Sequence, residues 1–435
     1  MKALITGLFV LGSIITYGQW DVIHASGNNG GHRDLYFLNN DTGFVIGSNG
    51  DGSYILRTED GGTDWDSLWY DDHQFKTIYF PSADTGYIAC FYFNTVAVLR
   101  TINGGDSWQL IADSLENAVS VPYAISFFNN DTGIITLQNW AAKTIDAGET
   151  WTELTDYPYG GTNDGDINGN TYIGIGSAII AWTFDYGENF EEGMLGYFDG
   201  TNLYGSHLFV KAKNEKFLAS ALGQNGDELG LPSFSFGILT IGNVLTQEFD
   251  VRYFPYLSRT YGVSWPSENI MYAVCRPIYN EGANERFFMK SIDGGDTWYR
   301  QETIEPYYYG TQSLFCPSES VCYAVGGNNA YIYKTTNGGG PLLDEVEQIV
   351  LSVKEIDDDL NFSIAPNPTS GEVLVNSEKE KIKEVKVFDL QGKELLQSYP
   401  NDFNAHIDLS KFESGIYLIQ IMAGDKIRTG KIVRE

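Results

Sequence analysis

Arg57-Thr58-Glu59-Asp60-Gly61-Gly62-Thr63-Asp64-Trp65 decides the fold, because the same frame returns along the chain. It recurs at Arg100 to Trp108 (RTINGGDSW) and at Lys143 to Trp151 (KTIDAGETW). Later copies are Trp182 to Phe190 (WTFDYGENF), Lys290 to Trp298 (KSIDGGDTW) and the truncated Lys334 to Gly339 (KTTNGG). The Asp or Asn positions are 60, 103, 146, 185, 293 and 337, with gaps of 43, 43, 39, 108 and 44. A period near 43 residues matches one four-stranded β-propeller blade.

A second frame precedes these turns. Phe37 to Phe44, Phe80 to Tyr87 and Phe127 to Ile134 share an Asp-Thr-Gly core, and Trp265 to Tyr272 and Cys316 to Tyr323 fit the same register. Asp and Gly suit both turns, since the carboxylate accepts nearby amides and Gly takes positive φ. The long gap holds one degenerate blade near 205–250. The expectation is an all-β, seven-bladed propeller, with six to eight blades compatible with the spacing. Asp60, Asn103, Asp146 and Asp293 are read as caps of their own turns. Trp65, Trp108, Trp151 and Trp298 are read as packing between strands. A feature repeated around a ring specifies the ring, whereas an active site sits once.

The propeller frame resembles the Asp-box (BNR) repeat, and the blade pattern over roughly residues 30–340 is similar to photosystem II stability and assembly factors. The resemblance implies a fold and leaves function open, because sialidases, glucanases, receptors and non-enzymes share the box. The acidic body does not suit a photosystem role.

Composition narrows the classes. The chain has 435 residues, 27 Lys and Arg against 57 Asp and Glu, and a net charge of −30. Such acidity opposes nucleic-acid or polybasic membrane binding, which need a basic face. With 43% apolar and 14% aromatic residues the chain can bury a large core. Residues 20–340 carry 39 acids against 15 bases, 341–360 carry seven against one, and 361–435 carry 11 against 10. These shifts mark boundaries: a signal peptide over 1–18, the propeller over 19–340, an acidic linker over 341–360 and a terminal module over 361–435. Within the linker, Leu342 to Glu355 reads as a short amphipathic helix.

Met1-Lys2, the apolar run Ala3 to Ile15 and Thr16-Tyr17-Gly18 before Gln19 have the order of a secretory signal peptide. The run is short for a membrane span.

The terminal module alternates like a small antiparallel β-sandwich. Its Pro366-Asn367-Pro368-Thr369-Ser370-Gly371, the strand-turn containing Gly392, Gly415-Ile416-Tyr417 and the closing Lys431 to Glu435 resemble the type IX secretion C-terminal sorting domain of Bacteroidetes, type A. The resemblance implies export through the periplasm and outer membrane, contact with the type IX machinery, then a surface-bound or released product.

Candidate chemistry is sparse. Cys316 and Cys322 flank a turn and would form a disulfide in an oxidising compartment, while Cys90 and Cys275 read as buried thiols. Asp164-Gly165-Asp166-Ile167-Asn168-Gly169 has oxygens at alternate positions before Gly, the opening of a calcium loop, but the twelfth position is Ile175. Calcium is thus the one candidate ion. The loops opposite the Asp-box turns are rich in aromatics: Trp69, Tyr70, Tyr157, Tyr159, Tyr253, Tyr256, Tyr307 and Tyr308. Such rings suit sugar stacking or protein contact. Arg276-Pro277-Ile278 is not the Arg-Ile-Pro start of a sialidase, and Arg57 and Arg100 belong to turns.

The reading is an exported, non-catalytic recognition propeller for polysaccharide or protein. A glycoside hydrolase with paired propeller carboxylates, sialidase-like or glucanase-like, and an envelope assembly scaffold are the alternatives.

Overall fold

The computed structural model describes residues 20–434 apart from short segments, of which the longest are 195–203, 225–234, 278–285, 302–310 and 355–361. Short alternating strands pair with their sequence neighbours, because each is joined to the next by a tight polar turn. Blade 1 runs Gly31–Phe37, Gly43–Asn49, Gly52–Thr58 and Asp66–Tyr70, hydrogen-bonded in that order. Its third strand is largely buried, whereas its outermost strand is mostly exposed. Blades 2 to 6 repeat the order over 73–112, 122–153, 162–194, 204–254 and 257–301. Blade 7 takes three strands from 311–335 and its fourth, Asp21–Ala25, from the start of the described chain. Among the described residues this makes seven propeller sheets. The innermost strand of each contacts that of the next, and the strands starting at Thr311 and Gly31 close the ring.

The segment 204–254 is the degenerate blade. Its last turn lacks an Asp box, and Asn243 instead accepts the amides of Leu245 and Thr246.

The linker departs from its expected helix. Leu342–Glu345 adds a fifth strand to the outer edge of blade 6, and Ile349–Lys354 adds one to blade 5. The β-branched content of Ile349-Val350-Leu351-Ser352-Val353 favours a strand. Two unpaired sheet edges supply the hydrogen bonds that a lone helix of this length would have to make internally.

After Phe362 the chain forms two sheets of three and four strands. They share one core, including Val375, Val385, Ile407, Ile419 and Ile432. The Pro366-Asn367-Pro368 turn is tied to the final strand, where Asn367 Oδ1 accepts the Val433 amide at 2.8 Å. Gly371 accepts the Leu409 amide, and Tyr417 donates its hydroxyl to the Glu413 carbonyl. Gly415 opens a strand, and Gly392 lies outside the described residues.

Candidate functional site

Strand order fixes two faces. One carries the Asp-box turns and the Asp-Thr-Gly turns, which touch: the Gly61 amide donates to the Asp41 carbonyl, and Gly104 to Asp84. The other carries the remaining two loops of each blade.

The Asp-box face is occupied with holding the ring together. Asp60 Oδ1 accepts the Asp64 amide at 3.0 Å and the Thr58 hydroxyl at 2.9 Å. Thr58 Oγ1 accepts the Gly62 amide, and the Trp65 indole donates to the Gly62 carbonyl. Asn103, Asp146, Asp185 and Asp293 repeat the side-chain-to-amide bond. Trp151 and Trp298 repeat the indole bond, and Trp108 packs beside Phe44 and Phe80. Five of the six boxes open on a cation, which reaches into the next blade's box. Arg57 pairs with Asp106, Arg100 with Glu149 and Lys143 with Glu188; Lys290 donates to the Gly338 carbonyl and Lys334 to that of Gly61. In the degenerate blade Arg252, on the fourth strand, takes this part opposite Asp296.

The inner strands enclose a polar channel, a cavity of about 110 Å³ touched by all seven blades. Asp34 laces three blades, accepting the Ile78 amide of blade 2 and the Ser313 hydroxyl of blade 7. Asp164, Asp166 and Asn168 lie along one extended strand instead of opening a loop. Each accepts a backbone amide of blade 5, from Val210, Ala212 and Asn214 respectively. The alternation therefore staples two inner strands, with oxygens spread along the strand rather than converging. No cluster of three metal-ligating side chains occurs among the described residues.

Lys211 stands among these carboxylates, with Asp166 at 3.8 Å. Burial opposes its charge, but Asp166, Asp164 and Asp34 outweigh it and raise the ammonium. Burial pushes Asp164 up to about 7, against the pull of Lys211 and the Val210 amide. The folded state therefore binds this proton more tightly than the unfolded chain, and the group costs stability as pH rises from about 4 to 7. Asp164→Asn keeps the acceptor for Val210 and removes the charge. It is expected to flatten that segment of the pH–stability curve and to gain about 1–2 kcal/mol at pH 8, read by denaturant unfolding at both ends of the range.

The opposite face carries exposed rings over blades 1 and 2. Trp69 is 54% exposed and leans on Tyr54. Tyr70 meets His73, which stacks on Tyr92 at 4.3 Å, and Tyr92 meets Phe93. Phe93 is 72% exposed and holds a positive φ of 44°, a strained conformation for a bulky residue. Beyond this strip, Tyr256 is exposed ahead of blade 6 and Tyr253 is part-buried. Tyr157 is buried, bonded to Tyr172 and packed on Phe190, so it belongs to the core. Tyr159, Tyr307 and Tyr308 lie outside the described residues. His73, Tyr92 and Phe93 were not singled out in the sequence; they share a site only because the second-to-third-strand turn of blade 2 meets the strand leaving blade 1.

Cys316 and Cys322 form a disulfide across the first turn of blade 7. Cys90 and Cys275 are buried thiols, both raised by burial.

The fold is an Asp-box propeller of seven sheets followed by a two-sheet terminal module. Residues 363–435 match the family model of the secretion system C-terminal sorting domain, and residues 13–192 match that of photosynthesis system II assembly factor YCF48. The tail is a type IX sorting domain and marks the chain for the cell surface or extracellular space. The propeller is similar to YCF48 bound to D1 peptide, at 15% identity and a TM-score of 0.52 over 74% of this chain and 99% of that one. It is also similar to YCF48 from Cyanidioschyzon merolae, at 14% identity and 0.54 over 73% and 98%. At such identities the likeness is one of fold. No curated protein matches in sequence. No helix among the described residues is long and apolar enough to cross a membrane.

Proposed function

We propose that the chain is an exported, non-catalytic recognition propeller that binds a glycan on the face opposite the Asp boxes. The observations that support this are the chain of rings Tyr70, His73, Tyr92 and Phe93, ending on a Phe93 that is 72% exposed, and, separately, Trp69, 54% exposed and resting on Tyr54. Rings held this way offer contact area at low entropy cost. A hydrolase would need two carboxylates facing each other across a bound sugar. The channel carboxylates Asp34, Asp164 and Asp166 are instead engaged by backbone amides.

Trp69→Ala and Phe93→Ala are expected to weaken retention on a glycan panel at least about tenfold, equivalent to 1.4 kcal/mol or more. Stability should stay within about 0.5 kcal/mol, as for surface changes generally. Unchanged retention by both variants would remove the strip from the binding face.

A further inference from the structure

Blade 6 carries three arginines in a row. Arg259 and Arg276 are direct cross-strand partners on its first two strands. The pairing of Cys275 with Phe287 brings Arg276 opposite Arg286, just ahead of the third. Opposed residues of a sheet share a face. The guanidinium carbon of Arg286 lies 3.9 Å from the centre of the Tyr261 ring, and that of Arg259 4.9 Å from it. All three sit at the sheet end away from the Asp-box turn, on the face assigned above to recognition.

Among the described residues the row has no counterion. Nε of Arg259, and Nε and Nη1 of Arg286, are buried without a hydrogen-bond partner. Among the described residues none of the three pairs with a carboxylate, whereas Arg57, Arg100 and Arg252 all do. A chain of net charge −30 has acids to spare. Like charges opposed across strands destabilise a sheet, and a guanidinium taken from water without an acceptor costs more. Stacking on Tyr261 offsets part of this. Burial, with Arg276 and Arg259, pushes Arg286 down to about 10 against the opposing influence of Tyr261. No anion among the described residues answers the row.

We infer that Arg259, Arg276 and Arg286 read a sugar carboxylate, so that the ligand is a sparsely charged acidic glycan whose neighbouring ring seats on Tyr256. This rests on the glycan reading above and specifies its chemistry. The planar guanidinium fork matches a planar carboxylate in two parallel hydrogen bonds. Tyr256 is 48% exposed and stands three residues ahead of Arg259, a stacking surface beside the charge. The anionic body repels a densely charged chain, which favours isolated acids within a neutral glycan.

The test uses the full chain and a xylo-oligosaccharide bearing one glucuronate. The same oligosaccharide with its carboxyl reduced to the alcohol and a short peptide with one glutamate serve as comparisons. The glucuronate form should bind at least about tenfold more tightly than the reduced form. Arg286→Gln and Arg276→Gln should erase that difference, while ligand-free Tm stays level or rises because a repulsion has been relieved. Two variants are used so that one poor folder does not decide the matter.

Equal binding of both sugar forms, or a preference unchanged in both variants, would overturn the inference and leave the recognition reading standing. Binding of the peptide alone would overturn it in favour of a protein ligand. No binding of any of the three would also overturn it, and retention on neutral members of the panel would then decide the broader reading separately.

Discussion

Trp20→Ala is expected to lower the unfolding free energy by about 3–5 kcal/mol, the range for removing a large buried aromatic. Trp20 is fully buried and stacks on Phe288 with ring centroids 3.7 Å apart. Its indole donates to Gln301 Oε1 at 3.1 Å. Both partners belong to blade 6, while the strand that follows, Asp21–Ala25, pairs with blade 7. One side chain thus anchors the seam where the two ends of the propeller meet. Trp20→Phe keeps the stack and loses the hydrogen bond, so about 1–2 kcal/mol is expected there. Denaturant unfolding of the two variants checks both figures, and equal small losses would mean that the seam is held elsewhere.

Gly105→Ala is the second large effect. Gly105 holds φ at +85°, and an added Cβ would stand 2.3 Å from Cε1 of Phe44. Phe44 is fully buried and stacked on Phe80, so its ring cannot withdraw. Backbone strain of about 1 kcal/mol and overpacking of about 1–3 kcal/mol add to roughly 2–4 kcal/mol. Gly104 is the control. Its φ is +66°, but its nearest neighbour would be the Ala83 carbonyl oxygen at 3.4 Å. Gly104→Ala should therefore cost only about 1 kcal/mol. Similar losses in the two variants would show that left-handed backbone, rather than contact between blades 1 and 2, sets the need for glycine.

The ring was legible because its signals repeat. Six copies of one turn fix the period, and the degenerate blade appears as a gap of 108 residues, 22 more than two periods of 43, because its strands and loops are longer. What repeats less was harder to read. Leu342–Glu345 and Ile349–Lys354 have too few residues to separate helical from strand periodicity, and only the waiting edges of blades 5 and 6 decide between them. Asp164-x-Asp166-x-Asn168 has a period of two, which serves a strand face as well as a cation loop, and in the structure each side chain accepts an amide of the next blade.

The proposed binding face was legible only in composition. The exposed Trp69 and the buried Tyr157 both sit in loops of the same texture, and burial separates them. The arginine row leaves no local trace, because Arg259, Arg276 and Arg286 are scattered in sequence and meet only through strand register. Pairing the second and third strands of blade 6 from the repeat alignment would have been enough to bring Arg276 and Arg286 together.

The most direct measurement incubates the full chain with plant, algal and host glycans and reads retention and reducing-end release together. Retention without new reducing ends, lost in Trp69→Ala, is the predicted result. New reducing ends that scale with protein concentration would contradict the account and identify an enzyme.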